Sequence, residues 1–177
     1  FSILKDIKKR GQYHIIASAG EIDMTKYKTK FNNMGLGTRV ITGAQIQRYR
    51  ITDFPSQGEV IYIADQHRPA LSPKRESDVS CPRIVLQRIT GVDSRVRIIA
   101  TLVERYVYCA NSTNYISIDS TINIKYLLGL LNSTLVNFYI KQTSTNTNIT
   151  AKVLNSIPIV VASVKEQYLI ANLVEYI

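Results

Sequence analysis

Short runs of alternating apolar and polar residues fill the first two thirds of the chain, and glycine or proline residues separate several of them. An alternating run places its apolar side chains on one face, as a strand in a half-buried sheet requires. Runs rich in Val, Ile and Tyr predict strands at residues 13–17, 38–42, 45–51, 59–64, 83–90, 95–103 and 105–109. Together these runs predict a mostly antiparallel sheet.

The apolar spacing becomes helical in the last third of the chain. Six apolar residues recur every three or four positions: Ile124, Leu127, Leu128, Leu131, Leu135 and Phe138. The pattern predicts one amphipathic helix that ends near Gln142. A shorter helix is expected at residues 23–33, where Asp23 would be the N-cap. The polar or proline-bearing segments at residues 65–82 and 143–150 predict exposed loops.

The C-terminal residues predict a short edge strand followed by a helix. The strand, residues 157–161, contains a proline, and Ser163 with Glu166 has the capping-box spacing. The apolar stripe that follows continues to the last residue of the sequence, so we expect this helix to reach outward to a partner surface. The sequence therefore predicts an α+β fold, with a mostly antiparallel twisted β-sheet and packed helices in residues 1–162 and a spacer-like helix in residues 163–177.

The composition is that of a globular protein. A 177-residue chain with 45% apolar and 20% charged residues can bury the core of one domain. Its longest apolar stretches are shorter than a membrane span, and we expect no membrane partner. The two cysteines, Cys81 and Cys109, are too few for a disulfide framework, which favours a reducing, cytoplasmic location. The first residue is Phe1 rather than Met, so we expect the chain to be part of a longer polypeptide.

Basic residues outnumber acidic ones, and the excess lies early in the chain. Residues 1–110 hold 18 basic and 10 acidic side chains, whereas residues 111–177 hold 4 and 3. Such an excess favours a polyanionic partner such as nucleic acid. Charge alone leaves a second interpretation open, namely a solvated surface that keeps the domain soluble.

Arginine dominates the basic residues of the predicted sheet. Residues 39–105 contain ten Arg and one Lys. Arg48 and Arg50 flank a single residue, as do Arg95 and Arg97, so each pair would project from one side of a strand. Guanidinium groups bind phosphates and guanine edges through two parallel hydrogen bonds. We expect these groups to form one continuous positive surface, the alternative being that nearby glutamates neutralise them.

The sequence shows no catalytic constellation. Its two histidines, His14 and His67, have no neighbouring carboxylate cluster. A metal-dependent nuclease pattern begins at Asp53 and Glu59, but Ile61 stands where a lysine is required. No glycine-rich nucleotide loop and no metal-ligand spacing occur. We therefore expect no catalytic residue, no metal and no cofactor in this chain, and a stand-alone nuclease is not favoured.

Four segments resemble a known family and occur in its order: GLGTRVITGAQIQRYRI (residues 35–51), PRIVLQRITG (82–91), YLLGLLNSTLVNFYIK (126–141) and LNSIPIV (154–160). The family is the TaqI-like C-terminal specificity domain, the target recognition domain of adenine-N6 DNA methyltransferases and of fused type II restriction-modification enzymes. The C-terminal part is also similar to the end of a type I restriction specificity-subunit recognition domain. In that family an Ile-Pro strand is followed by an acidic residue with Gln and then by a spacer helix. Glu166 and Gln167 match the acidic residue and the Gln in this sequence. Residues 161–164 lack the proline-rich turn usual before that pair.

The resemblance implies a non-catalytic module that reads a short double-stranded DNA sequence for a methyltransferase in the same polypeptide or complex. S-adenosylmethionine would bind to that catalytic domain, outside this chain. The parent could be a lone methyltransferase, a fused nuclease-methyltransferase or a type I specificity subunit. A protein-docking role for the terminal helix is a further alternative.

Eleven residues are predicted to contact DNA. The Gln45 amide, in a turn with Gly43, suits an adenine edge, and Asn146 lies in a polar loop where a plain turn is the alternative. The cations of residues 65–82 would enter a groove, or else decorate a mobile solvated loop. The predicted set is Arg39, Gln45, Arg48, Arg50, Arg68, Lys74, Arg75, Arg88, Arg95, Arg97 and Asn146.

Overall fold

The computed structural model describes residues 2–3, 13–92, 94–120 and 122–177 of the chain. Residues 1, 4–12, 93 and 121 lie outside this range. The described residues fold into two four-stranded sheets, two shorter strand pairs and five α-helices, which confirms the predicted α+β class. No helix among them is long and apolar enough to cross a lipid bilayer.

The strands are β1 (Ser2–Ile3), β2 (Tyr13–Ala19), β3 (Phe31–Asn32), β4 (Thr38–Ile41), β5 (Ile46–Gln47), β6 (Arg50–Ile51), β7 (Ile61–Ile63), β8 (Arg83–Gln87), β9 (Ala100–Val103), β10 (Tyr108–Cys109), β11 (Thr113–Ser120) and β12 (Pro158–Ile159). The α-helices are α1 (Pro73–Val79), α2 (Ile124–Leu131), α3 (Thr134–Thr143), α4 (Ala151–Leu154) and α5 (Val164–Glu175). Short 3-10 helices occur at Lys28–Lys30, Gly43–Gln45 and Asp65–His67.

The central sheet has the order β2-β11-β8-β9 and is antiparallel throughout. The second sheet has the order β10-β4-β7-β3, and its β10–β4 pair is parallel. The remaining strands form the β5–β6 hairpin and an antiparallel pair of β12 with β1. The prediction of a mostly antiparallel sheet is thus confirmed, although the strands are divided between two main sheets.

Alternate residues of β8 face two different layers, as the pleat of a strand requires. Ile84 and Leu86 are buried in the larger core with Leu127 of α2. Val85, between them, is buried in a smaller core with Ile41 of the second sheet. The central sheet therefore lies between the helices and the second sheet.

Two asparagine side chains cover the outer edge of β9. The Asn132 amide donates to the carbonyl of Ala100 at 2.9 Å and accepts from its N–H at 3.1 Å. The Asn137 side-chain oxygen accepts from the backbone N–H groups of Arg97 and Ile98, at 2.6 and 2.8 Å. A strand edge presents unpaired backbone groups, and these buried amides satisfy them.

The predicted single helix up to Gln142 is wrong, because the chain breaks into α2 and α3. Asn132 ends α2 and turns its side chain to β9. Ser133 then caps α3, since its hydroxyl accepts from the N–H of Val136 at 3.2 Å. The apolar spacing runs on through the break, so periodicity alone does not reveal it.

Two predicted strands are shorter than expected. Residues 45–51 form the β5–β6 hairpin, with Arg48 and Tyr49 in the turn and Tyr49 at a left-handed φ of 67°. Residues 95–99 precede β9 and are not paired as a strand. The alternation rule that placed the predicted arginine pairs on one face therefore does not apply to either segment.

Two other segments also differ from their predictions. Residues 65–82 were expected to form a loop, but they contain α1, with Pro73 at its first position, where a missing N–H costs nothing. Residues 23–33 form a turn, a 3-10 helix and strand β3 rather than an α-helix. Asp23 still acts as a cap, because its carboxylate accepts from the N–H groups of Thr25 and Lys26 at 2.9 and 3.0 Å.

A buried ionic network joins the two sheets. Arg83 of β8 forms an ion pair with Glu21, and both side chains are completely buried. The second carboxylate oxygen of Glu21 accepts from the N–H of Cys109 at 2.8 Å. The Arg83 guanidinium also lies 4.5 Å from the centre of the Tyr115 ring, and the Tyr115 hydroxyl donates to Asp78 at 2.9 Å.

The predicted capping box starts the last helix. The Ser163 hydroxyl accepts from the N–H of Glu166 at 3.4 Å, and the Glu166 carboxylate accepts from the Ser163 N–H at 2.8 Å. The Ser163 hydroxyl also donates to the Glu166 carboxylate at 2.6 Å, and this hydrogen bond, with that from the Ser163 N–H, lowers the pKa of Glu166. The helix packs against α2, with Ile170 and Val174 beside Gly129. The predicted domain boundary at residue 162 stays a prediction.

Candidate nucleic-acid interface

Three connecting segments meet at one end of the central sheet. Gln87, at the end of β8, pairs with Thr113, at the start of β11. The N–H of Arg88 then donates to the carbonyl of Ser112 at 3.2 Å, and Ile89 forms a bridge with Asn148. We call this region the loop end, and it comprises residues 88–92, 94–99, 110–113 and 143–149.

A cleft of about 650 Å³ lies beside the loop end. Its lining includes Ile89 and Ser112 of the loop end and residues 56–59. Gly43 also lines the cleft, and its N–H donates to the Ser112 hydroxyl at 3.1 Å. A Cβ at Gly43 would lie 2.8 Å from the Ser112 carbonyl oxygen, so the close approach requires glycine. Amide, hydroxyl and carboxylate groups in the lining can donate to or accept from base edges.

Residues 144–148 form a polar segment of the loop end that is fixed through its backbone. The carbonyl oxygens of Ser144 and Asn146 accept from the Arg97 guanidinium. The carbonyl of Thr147 accepts from the N–H of Thr90 at 3.0 Å. The side chains of residues 145–148 are exposed, so the Asn146 side chain lies at the surface, as its prediction requires, while its DNA contact stays a prediction.

Two of the predicted contact residues are buried, and this corrects their predicted surface positions. Arg97 has no exposed surface, because its guanidinium donates to Thr90 and to the carbonyls of residues 144 and 146. Gln45 is also completely buried, and its side-chain oxygen accepts from the N–H of Thr42 at 3.0 Å. Neither side chain can reach DNA in this structure. Arg97 positions the 144–148 segment, and Gln45 shapes the turn that contains Gly43.

Six predicted arginines form no ion pair with a carboxylate among the described residues: Arg75, the buried Arg97, and the four surface arginines Arg48, Arg50, Arg88 and Arg95. Arg48 donates to the carbonyl of Asn132 at 2.7 Å, and Arg88 donates to the carbonyl of Asn111 at 3.0 Å. Arg48, Arg50 and Arg95 are exposed and Arg88 is half-buried; the Arg50 Nε donates to the Gln47 side chain at 2.6 Å. Arg88 and Arg95 belong to the loop end. Arg48 lies next to the loop end, because it contacts the carbonyl of Asn132, and the side chain of Asn132 is bonded to β9.

Three other predicted cations are each tied to an acid. The ion pairs are Arg39 with Asp53 at 2.6 Å, Arg68 with Asp65 at 2.9 Å, and Lys74 with Asp78 at 2.8 Å. Arg75 lines a separate cleft of about 330 Å³ that also contains Glu21 and Asp23. The expectation of one continuous positive surface made by the whole set is therefore wrong. Four of the predicted cations without an ion pair lie at or near the loop end or on the β5–β6 hairpin, and Arg75 of α1 is a further one elsewhere.

The titratable groups of the interior form no reactive cluster. Burial raises the pKa of the Cys109 thiol to about 12, so this thiol stays protonated at neutral pH. Burial and the neighbouring Asp78 likewise raise the pKa of Tyr115. Within residues 13–92, 94–120 and 122–177 no group of three or more His, Cys, Asp or Glu side chains could hold a metal ion.

Sequence reasoning missed the residues that hold the interface in place. Asn132 and Asn137 cover β9, and Arg97 fixes residues 144–148. The only sequence signal for the role of the two asparagines is that each lies within the apolar helix predicted for this region. A buried amide in such a place has to find polar partners elsewhere in the fold.

The sequence profile of the TaqI-like C-terminal specificity domain matches residues 38–159, more than half of the chain. The chain belongs to this family. The matched range runs from the start of β4 to the end of β12, so it includes most of the second sheet, most of the central sheet and the loop end.

Solved structures share the fold of the TaqI-like domain. The HsdS subunit from Thermoanaerobacter tengcongensis is 16% identical, with a TM-score of 0.57, over 98% of this chain and 36% of that chain. A chain of a type I restriction-modification complex is 12% identical, with a TM-score of 0.60, over 93% and 37%. The type IIL restriction-modification enzyme MmeI, solved with DNA, is 14% identical, with a TM-score of 0.54, over 99% and 25%. This chain therefore spans about a third or less of each. No curated protein sequence matches it significantly.

Proposed function

We propose that the TaqI-like domain recognises a short sequence in double-stranded DNA for a restriction-modification enzyme. The observation that carries this proposal is the family match over residues 38–159. The neighbours of known structure support it, since they are subunits or enzymes of restriction-modification systems and share this fold. The domain contributes specificity, and the chemistry belongs to a methyltransferase in the same polypeptide or complex.

The distribution of charge supports a DNA partner. Cations without acidic partners lie at the loop end and on the β5–β6 hairpin, whereas Arg68 and Lys74, in and near α1, are paired with acids. Phosphate contacts need cations that are not already neutralised. The adjacent cleft adds amide and hydroxyl groups that can distinguish base edges. The loop end with its cleft is therefore the DNA-facing surface in this proposal.

The finer assignment concerns the catalytic partner. We assign the domain to an adenine-N6 methyltransferase, with S-adenosylmethionine bound by the catalytic domain and not by this chain. A fused type II enzyme and one half of a type I specificity subunit are both compatible with the neighbours. Adenine methylation takes the base out of the helix, so a separate domain has to hold the duplex and read the flanking bases.

A salt titration with charge-neutralising variants tests the proposal. The duplex affinity of the chain is measured by fluorescence anisotropy over a series of salt concentrations, for wild type, Arg50→Gln and Arg95→Gln. Each variant is expected to reduce the slope of log K against log salt by about one if its arginine binds a phosphate. Arg68→Gln is the matched control, because its guanidinium is exposed but already paired with Asp65.

Two results would contradict the proposal. The first is duplex affinity that does not depend on salt, or that is no greater than the affinity for a neutral polymer. The second is the absence of any enriched motif when the chain selects from a pool of random duplexes, since that would remove sequence recognition while leaving charge attraction.

The exposed face of α5 supports a second role in protein docking. Leu169 and Leu173 are 58% and 66% exposed, although Ile170 and Val174 of the same helix pack on α2. A row of exposed leucines marks an association surface. Leu169→Glu with Leu173→Glu is expected to abolish self-association, measured by analytical ultracentrifugation, and to leave DNA binding unchanged. Loss of both properties would mean that docking and recognition are not separate.

A further inference from the structure

The carbonyl and N–H groups of the 144–148 segment have different surroundings. The carbonyls of Ser144, Asn146 and Thr147 accept hydrogen bonds from Arg97 or Thr90. The carbonyl of Ile149 accepts from the buried Asn114 amide. By contrast, the N–H groups of residues 145–148 donate to no acceptor in the described part of the chain. The segment therefore offers four backbone donors, together with exposed Thr and Asn side chains.

The Arg97 guanidinium binds the carbonyl side of two of the peptide groups that carry these donors. Its guanidinium is completely buried and donates to three neutral oxygens, those of Thr90, Ser144 and Asn146. No carboxylate pairs with it among the described residues. Arg83, the other completely buried arginine, has Glu21 as its counterion. Arg97 thus differs from Arg83 in that its charge is not balanced by an acid of the protein.

The end of α3 balances only part of this charge. Helix α3 ends at Thr143, and the C-terminal end of a helix carries about half a negative elementary charge. The rest of the Arg97 charge has no acidic partner among the described residues. Burial of an incompletely balanced cation is costly in free energy, so an arrangement of this kind favours binding of an anion at the surface above it.

We infer that the 144–148 segment is an anion site for one backbone phosphate of duplex DNA, with the four free N–H groups as donors and the buried Arg97 as the source of charge. This inference rests on the proposed function and adds a defined contact to it. Arg88 and Arg95 of the loop end provide the neighbouring phosphate contacts. Oriented backbone amides over a fixed positive charge form a known type of anion site.

Amide chemical shifts of the wild-type chain give the first test. The chain, labelled with ¹⁵N, is titrated with a short duplex, and the amide resonances of residues 145–148 are followed. They are expected to move downfield on binding, because each N–H gains a charged acceptor. If resonances of the β5–β6 hairpin move and those of residues 145–148 do not, DNA binds elsewhere and the inference is wrong while the proposed function stands. If no resonance of the chain moves, the proposed function itself fails.

Inorganic phosphate distinguishes a DNA site from a general anion site. A titration with inorganic phosphate at the same phosphate concentration is expected to shift the same amides far less, because the duplex is also held by neighbouring cations. Equal shifts with both would show that the segment binds free phosphate, and the assignment to DNA would be overturned.

The charge is tested with two substitutions of Arg97. Arg97→Gln removes the charge but keeps donors for the loop carbonyls, and it is expected to weaken duplex binding about tenfold and to reduce the salt slope by about one. Arg97→Lys keeps the charge and is expected to keep the slope. Equal slopes for wild type and both variants would refute the electrostatic role. If Arg97→Gln does not fold, the slope of Arg97→Lys and the wild-type amide shifts decide the question.

Discussion

Breaking the Arg83–Glu21 ion pair is expected to destabilise the fold strongly. Both side chains are completely buried between the two sheets. In Glu21→Gln the Arg83 charge keeps the carbonyl of Val107, 2.7 Å away, and the Tyr115 ring, but it loses its counterion. Leaving one partner of a buried pair without the other costs about 3–5 kcal/mol. This is a large part of the about 5–15 kcal/mol that stabilises a typical domain.

The hydrogen bond of Glu21 to Cys109 adds to this cost. The N–H of Cys109 donates to the second oxygen of Glu21 at 2.8 Å. A glutamine has only one acceptor oxygen, so it can serve either Arg83 or Cys109 but not both. Arg83→Met is expected to cost a similar amount, because it leaves the Glu21 carboxylate buried without a cation. In the double variant no unpaired charge remains, so its cost is expected to fall short of the sum by about 2–3 kcal/mol.

Urea unfolding followed by far-ultraviolet circular dichroism measures these differences at neutral pH. Wild type, the two single variants and the double variant give a complete cycle, provided that the slopes with denaturant are equal. Arg68→Gln serves as the control, because its pair with Asp65 is largely exposed, and it is expected to change stability by less than about 1 kcal/mol. Single-variant costs that add within about 0.5 kcal/mol would refute the proposed coupling.

Three further predictions concern the edge of β9, the cysteines and the last helix. Asn132→Ala is expected to lower the free energy of unfolding in urea by about 2–3 kcal/mol, because the buried N–H of Ala100 loses its only acceptor. The Ala100 carbonyl keeps its hydrogen bond from the N–H of Tyr49. The control is Asn146→Ala, at an exposed position, and equal effects of the two variants would contradict the role of Asn132 at the β9 edge. In thiol labelling at mildly alkaline pH, the exposed Cys81 is expected to react at once. The buried Cys109, whose pKa is raised to about 12, is expected to react only after unfolding. Equal labelling rates for the two thiols would argue against the placement of β10. The pKa of Glu166 is lowered in the folded state. The stability that its carboxylate gives to the start of α5 is therefore present above the ordinary glutamate pKa and is lost as the pH falls through the lower folded-state value. Amide exchange in the first turn of α5 should show this pH dependence in wild type and lose it in Glu166→Gln.

The sequence predicts those parts of the fold that depend on local signals. The strands at β4, β7 and β8 follow from alternation and from flanking glycine or proline, and the start of α5 follows from the spacing of Ser163 and Glu166. Each of these features involves residues within one turn or one strand of each other. The family resemblance on four segments was confirmed by the match over residues 38–159.

The remaining parts depend on contacts between residues far apart in the chain. Arg97 is buried because carbonyls about 47 residues further along the chain reach its guanidinium, and nothing near Arg97 distinguishes it from the exposed Arg95. The break between α2 and α3 follows from the contact of Asn132 with Ala100. The turn at Tyr49 requires a left-handed backbone, which a bulky residue seldom adopts and which the sequence does not signal.

The way residues 144–148 are held has a consequence for how this domain can change over time. Their carbonyls carry the attachment to Arg97 and Thr90, so the side chains of Thr145, Asn146, Thr147 and Asn148 take no part in it. Substitutions at these four positions can therefore replace the chemical groups shown at the loop end without loosening the protein beneath. Under the proposed function, such changes would alter the groups that face DNA while the fold is kept, and a library randomised at these positions tests whether they alter recognition.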